Sequence, residues 1–110
     1  MIFSKDGNTT LITQERATIV QLVKKIQETY PKVKHDNIIV NLSSLGKVTL
    51  EQVIEFLQVS NEHRGAGRSF VIVTNKINID DIPDELVIVP TLQEAYDIIE
   101  MEEMERDLGL

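Results

Sequence analysis

The chain opens with two short stretches of apolar and hydroxyl residues, Met1 to Ser4 and Thr9 to Thr13, on either side of KDGN. Asp6 and Gly7 suit a tight hairpin turn, so two antiparallel strands are expected here. From Ala17 a helical period appears. Ile19, Leu22, Val23, Ile26 and Tyr30 recur at three and four residues, while Lys24, Lys25 and Glu28 fall on the other side. That pattern predicts an amphipathic helix. Pro31 is expected to end it, because the residue before a proline is pushed away from helical geometry.

IIVNL, residues 38 to 42, is a continuous apolar run and reads as a buried parallel strand. A small polar loop, SSLGK, follows. Thr49 and Gln52 then form a T-x-x-Q capping box, which starts a second helix near Leu50 with Leu50, Val53, Ile54 and Leu57 as its inner stripe. The RGAG segment supplies glycines to stop that helix. SFVIV, residues 69 to 73, is another buried strand, and LVIV, residues 86 to 89, is the last. KINIDDIPDE between them is too short and polar for a full helix. A final helix, about 91 to 108, begins at Thr91 and Glu94, a second capping pair, with Leu92, Ala95, Ile98, Ile99 and Leu108 facing inward. The expected fold class is α/β: an N-terminal β-hairpin, then alternating helices and mainly parallel strands in a sandwich.

Composition narrows the function. At 110 residues and 42% hydrophobic content, one domain spanning 1–110 with a single core is expected. No apolar run is long enough to cross a bilayer and no signal-peptide core is visible, so membrane insertion is not expected and the cytoplasm is the default location. The absence of cysteine excludes disulfides, thiolate nucleophiles and cysteine-ligated metals. A net charge of −7 argues against general nucleic-acid binding. The charge is also lopsided: eleven of the 18 acids lie from residue 77 onward, where Arg106 is the only base. A basic partner would suit this end, although a charge run such as EMEEMERD is also what the solvated face of a helix looks like.

Candidate chemistry is sparse. His35 and His63 lie apart in sequence and read as ordinary surface residues, with no metal site expected. His63 with Arg64 and Arg68 could bind an anion, or could favourably cap a helix C-terminus. RGAGR comes after a helix and before a strand, the reverse of a phosphate-binding loop, and reads as a helix stop. The pairs Asp80-Asp81 and Asp84-Glu85 could supply an acid and a base, or hold a hard cation. The stretch with the most potential is SSLGKVTLE, which joins the end of a parallel strand to a helix N-terminus. Ser43 and Ser44 could equally satisfy local backbone groups, and Thr49 serves as a cap.

The order of elements and two segments resemble a STAS domain, the fold of anti-sigma factor antagonists and of the cytoplasmic ends of sulfate transporters. IIVNLSS followed by LGKVTLEQVIEFL has the layout of the family's strand, loop and D-S-S/T-G helix start, and VIVPTLQEAYDII is similar to its final strand and helix. The likeness covers most of the chain. It departs at the phosphorylatable motif, where Thr49 takes the Asp place and Glu51 the acceptor place. The resemblance implies a non-catalytic regulatory or scaffolding module, without cofactor, that binds a protein, such as an anti-sigma factor or kinase-like regulator, through loop 43–51 and the following helix. The partner-binding residues expected are Ser43, Ser44, Lys47, Thr49, Glu51 and Glu55, with Ser44 and Thr49 as candidate phosphorylation sites. The competing class is an enzyme or small-ligand binder using residues 80–85. Self-association through the acidic last helix, with Met101 and Met104 on an apolar stripe, is a third. A ribonuclease Z activity would need a His-rich two-metal centre that two isolated histidines cannot build, which leaves only the role of companion to such a tRNA-processing nuclease.

Overall fold

Strands β1 (Ile2–Asp6) and β2 (Thr9–Thr13) form the antiparallel hairpin, with Gly7 at φ +61°, a conformation glycine adopts without strain. The computed structural model describes residues 2–14, 18–77, 80 and 82–109. Met1, Ala17 and Asp81, which carried parts of the sequence reading, lie outside the described residues. Helix α1 (Ile19–Val33) returns the chain to β3 (Asn37–Asn41), and the short α2 (Leu50–Ile54) and α3 (Leu57–Gly65) lead to β4 (Phe70–Val73). Strand β5 (Val87–Val89) and helix α4 (Leu92–Asp107) complete the chain. The five strands lie in sequence order, β2 to β5 all parallel, as expected for a mixed α/β sandwich.

Side chains alternate across the sheet, and the two faces are covered unequally. Ile12, Ile38, Val40, Phe70 and Ile72 pack with α1, α2 and α3 in the larger cluster. Ile39, Val71, Val73 and Val89 meet Ala95 and Ile99 of α4 on the opposite face. The strands in the middle are therefore apolar on both sides, which is why they read as continuous hydrophobic runs rather than alternating ones.

Three details differ from the sequence reading. Pro31 lies inside α1, which continues to Val33. Proline removes one hydrogen bond near the exposed helix end, where water can replace it, and buried Val33 holds the last turn against the core. The second helical segment is broken at Glu55 and Phe56, whose N–H groups bond back to Gln52 and Val53 in tight three-residue turns. The break turns Phe56, Val59 and His63 inward and leaves Ile54 42% exposed. Leu108, expected inside, is 73% exposed as the residue ending α4.

Candidate functional site

The strand-to-helix stretch sits at the carboxyl ends of the parallel strands, where open α/β sheets place their clefts. Leu42 is buried and donates its N–H to Val73 O at 2.8 Å, and Val48 is buried at the other end. These two anchors hold the intervening Ser43, Ser44, Gly46 and Lys47 at the surface. Ser43 is not free of the fold: its hydroxyl donates to Asn41 Oδ1 at 2.7 Å and its N–H to the same oxygen at 3.0 Å. Ser44 and Lys47 are exposed.

Thr49 caps α2 reciprocally. Its Oγ1 accepts from Gln52 N–H at 3.2 Å, while Gln52 Oε1 accepts from Thr49 N–H at 2.9 Å. Thr18 and Gln21 make the same box at the start of α1. The two capped starts lie side by side and enclose an open cleft of about 320 Å³, lined by Thr18, Ile19, Val20, Thr49, Glu51, Gln52 and Glu55. Of the six residues expected to meet a partner, Thr49, Glu51 and Glu55 thus share one cleft, and Ser43, Ser44 and Lys47 lie on the preceding loop. Glu51 is in the first turn of α2, and Glu55 terminates it.

Neither a protein-family model nor a curated protein sequence matches the chain. Among solved structures, a serine-to-glutamate variant of RsbS from Moorella thermoacetica superposes with a TM-score of 0.69 at 14% identity, covering 90% of this chain and 93% of that one. A chain of the stressosome, described as a signal integration and transduction hub, gives 0.62 at 14% identity over 90% and 96% of the two chains. The chain has the STAS-domain fold.

Within this STAS fold the opposite, amino ends of the parallel strands hold a polar network that the sequence did not announce. His63 is not a surface residue but is fully buried. Its Nε2 lies 2.7 Å from Asp36 O, and since a carbonyl can only accept, Nε2 carries the proton and Nδ1 accepts from the Tyr30 hydroxyl at 2.8 Å. Burial is the main cause pushing the His63 pKa below the usual histidine range, assisted by Arg68 and Arg106 and opposed by Asp36. The Asp36 carboxylate in turn accepts from Thr10 Oγ1 at 2.9 Å and pairs with Lys5 at 3.5 Å. One buried imidazole therefore ties α1 and α3 to the entry of β3, and the adjoining carboxylate ties that entry to the hairpin.

The acidic last helix also contributes here, so it is more than a solvated face. Glu102 Oε1 accepts from Ser69 Oγ at 2.6 Å, and its other oxygen pairs with Arg64 at 3.3 Å. Arg106 donates to Ser69 Oγ and to Asn37 Oδ1, both at 3.3 Å, and Asn37 Oδ1 also accepts the Ser69 N–H at 2.9 Å. Arg64, Arg68 and Arg106 line an open cleft of about 260 Å³ together with Gly67, Glu102 and Glu105. Two helix C-termini end near this cleft, where the macrodipole favours the cations already there and opposes an added anion. At the 80–85 segment, Asp84 lines a shallow cleft of about 200 Å³ with Ile82, Pro83, Leu86 and Ile88. Among the described residues, no group of three or more His, Asp or Glu side chains is arranged to hold a metal ion, and no helix is long and apolar enough to cross a membrane.

Proposed function

We propose that the chain is a non-catalytic regulatory or scaffolding module that binds another protein through loop 43–51 and α2. The observation that carries this reading is the cleft between the two capped helix starts, where Thr49, Glu51 and Glu55 face Thr18, Ile19 and Val20 at the carboxyl ends of the strands. Val20 of α1, 61% exposed in this cleft, and Ile54 of α2, exposed next to Glu55 in the chain, supply apolar surface near the two carboxylates. Apolar contact with a charged rim is the composition of a protein interface rather than of a catalytic pocket. The likeness to RsbS and to a stressosome chain supports assembly with other proteins as the setting. The resemblance to anti-sigma factor antagonists makes an anti-sigma factor or a kinase-like regulator the expected partner, in the cytoplasm.

Glu51 gives the surface a permanent negative charge in the first turn of α2, where the helix field favours it. It stands in for a phosphorylated hydroxyl, and phosphate on Ser44 or Thr49 would add further charge to the same surface. The test is affinity purification of the tagged chain beside a Glu51→Lys, Glu55→Lys variant, with bound proteins identified by mass spectrometry. A protein recovered with the wild type and lost with the folded variant supports the reading. An identical set of bound proteins with both refutes it. Intact-mass analysis across growth states checks the modification separately: a chain that never gains the mass of a phosphate removes the switch and leaves the docking surface.

A further inference from the structure

Helix α4 is apolar on two sides. Its inner side, Ala95 and Ile99, packs on the sheet. Met101, Met104 and Leu108 follow at spacings of three and four, which places them on one face, directly away from that core. They are 50%, 59% and 73% exposed. Burial against this chain cannot account for them, because the side of α4 that meets the sheet is the other one. Where Met101 meets the end of β5, an open recess of about 210 Å³ is lined by Val89, Glu94, Asp97, Ile98 and Met101.

The exposed charges that α4 itself carries along the stripe are acidic. Glu94, Asp97, Glu100 and Glu105 are exposed on and beside it. The single base of α4, Arg106, instead reaches across to Ser69 and Asn37. Two copies joined face to face through this stripe would set these carboxylates against each other, so a second copy fits poorly. A partner of opposite charge fits both features at once: apolar side chains for the methionines and leucine, and lysine or arginine for the carboxylate rim. Methionine is unbranched and adapts to the shape of what it covers.

We propose that the outer face of α4 is a docking site for a basic amphipathic helix of a partner protein. Recognition is of the helix-on-apolar-face kind, with anchors at i, i+3 and i+7 on this chain and a complementary charged rim. The site lies on the opposite face of the sheet from α1, α2 and α3, so it is independent of the cleft at Thr49 and Glu51. A chain with both surfaces can hold two partners at once.

The probe is a labelled synthetic amphipathic helix of leucine and lysine, titrated by fluorescence anisotropy against the full chain. The same peptide with glutamate in place of lysine is the charge control. Met101→Ser, Met104→Ser keeps every charge of the helix and changes only exposed positions; circular dichroism verifies that it is folded. Saturable binding of the lysine peptide, weakened about tenfold or more in the double variant, is expected. No saturable binding, equal binding of the glutamate peptide, or equal binding by the double variant overturns the proposal. A concentration-dependent dimer seen in sedimentation and abolished in the double variant also overturns it, since a second copy would then cover the stripe.

Discussion

Replacing His63 by leucine, which has similar bulk, removes both ring nitrogens from a fully buried position. Two groups lose their partners: Asp36 O, which accepted Nε2–H at 2.7 Å, and the Tyr30 hydroxyl, which donated to Nδ1 at 2.8 Å. Tyr30 is only half-buried and can turn toward water, whereas the carbonyl is held at the entry of β3. A buried acceptor left unpaired costs about 1–3 kcal/mol and the lost hydroxyl bond about 1 kcal/mol, giving a loss of roughly 2–4 kcal/mol. Against a total domain stability of about 5–15 kcal/mol, that is a large fraction. Urea denaturation at pH 7.5 measures it. A loss below about 0.5 kcal/mol, the range of ordinary surface substitutions, would refute the claim that the imidazole joins these elements. The pH dependence supplies a second reading of the same group. The folded pKa is depressed, mainly by burial, so the unfolded chain accepts a proton that the folded chain refuses. The stability due to the neutral ring is complete above the unfolded pKa of about 6.5 and declines as the pH falls from there toward the folded value. The slope in this window is at most about 1.4 kcal/mol per pH unit. Carboxylates titrate in both proteins, so the gap between wild type and His63→Leu isolates the ring: it should narrow as the pH is lowered from 7.5 to 5.5. A gap that stays constant or widens would contradict the neutral tautomer.

Other sites extend the test. Gln14 is fully buried, and neither end of its amide has a hydrogen-bond partner among the described residues, so Gln14→Met, of similar shape, should raise stability by about 1 kcal/mol in the same denaturation assay; a clear loss would mean the amide is satisfied in solution. Asn37→Ala leaves the Ser69 N–H and Arg106 without their shared acceptor and should cost about 1–3 kcal/mol. Combined with Arg106→Ala it should cost less than the two single losses together, because both touch one network. Thr18→Ala and Thr49→Ala each remove a helix cap and should cost about 1 kcal/mol apiece by thermal unfolding, with no change to the core.

The elements whose residues carry their own boundaries were legible in the sequence. Gly7 marks the hairpin, although its two turn residues are Gly7 and Asn8 and Asp6 pairs with Thr9 as the last residue of β1; Thr49 with Gln52 marks a helix start, and Thr91 accepts from Glu94 N–H at 3.2 Å as the spacing suggested. The same T-x-x-Q signal stands at Thr18 and Gln21, but the apolar period drew the helix start to Ala17 instead. What was not legible depended on partners distant in sequence. His63 continues an inward series with Phe56 and Val59, a spacing visible in the residues. The break at Glu55 shifts the phase of that series, and only the return of β3 beside α3 brings Asp36 O within reach. Pro31 shows the converse, since a local rule against helix gives way when the next turn has a buried anchor in Val33. At the candidate site, the carboxylates of Glu51 and Glu55 could be placed on the exposed side from spacing alone. Their neighbours Thr18 and Val20 could not, because the cleft forms only when the starts of α1 and α2 come side by side.

The two ends of the sheet are built from different chemistry, and this bears on how a small domain can bind without giving up its fold. At the amino ends, His63, Asp36, Asn37, Ser69, Glu102 and Arg106 join all the layers through partly or fully buried polar contacts whose loss is costly. At the carboxyl ends, the polar contacts among the described residues include local ones: a serine to the asparagine two residues before it, and threonines to the first turns of their own helices. A local cap fixes the start of one helix and leaves its exposed side chains uncommitted. Substitutions at Ser44, Lys47, Glu51 or Glu55 should therefore change the exposed surface at little cost to folding, which is the property the proposed docking surface needs if it is to vary while the fold persists. The same separation holds for α4, whose inner face and Arg106 secure it while Met101, Met104 and Leu108 remain outside that work. Among the described residues, the long-range polar contacts gather at the amino ends of the strands, and the residues proposed for docking are held by their sequence neighbours.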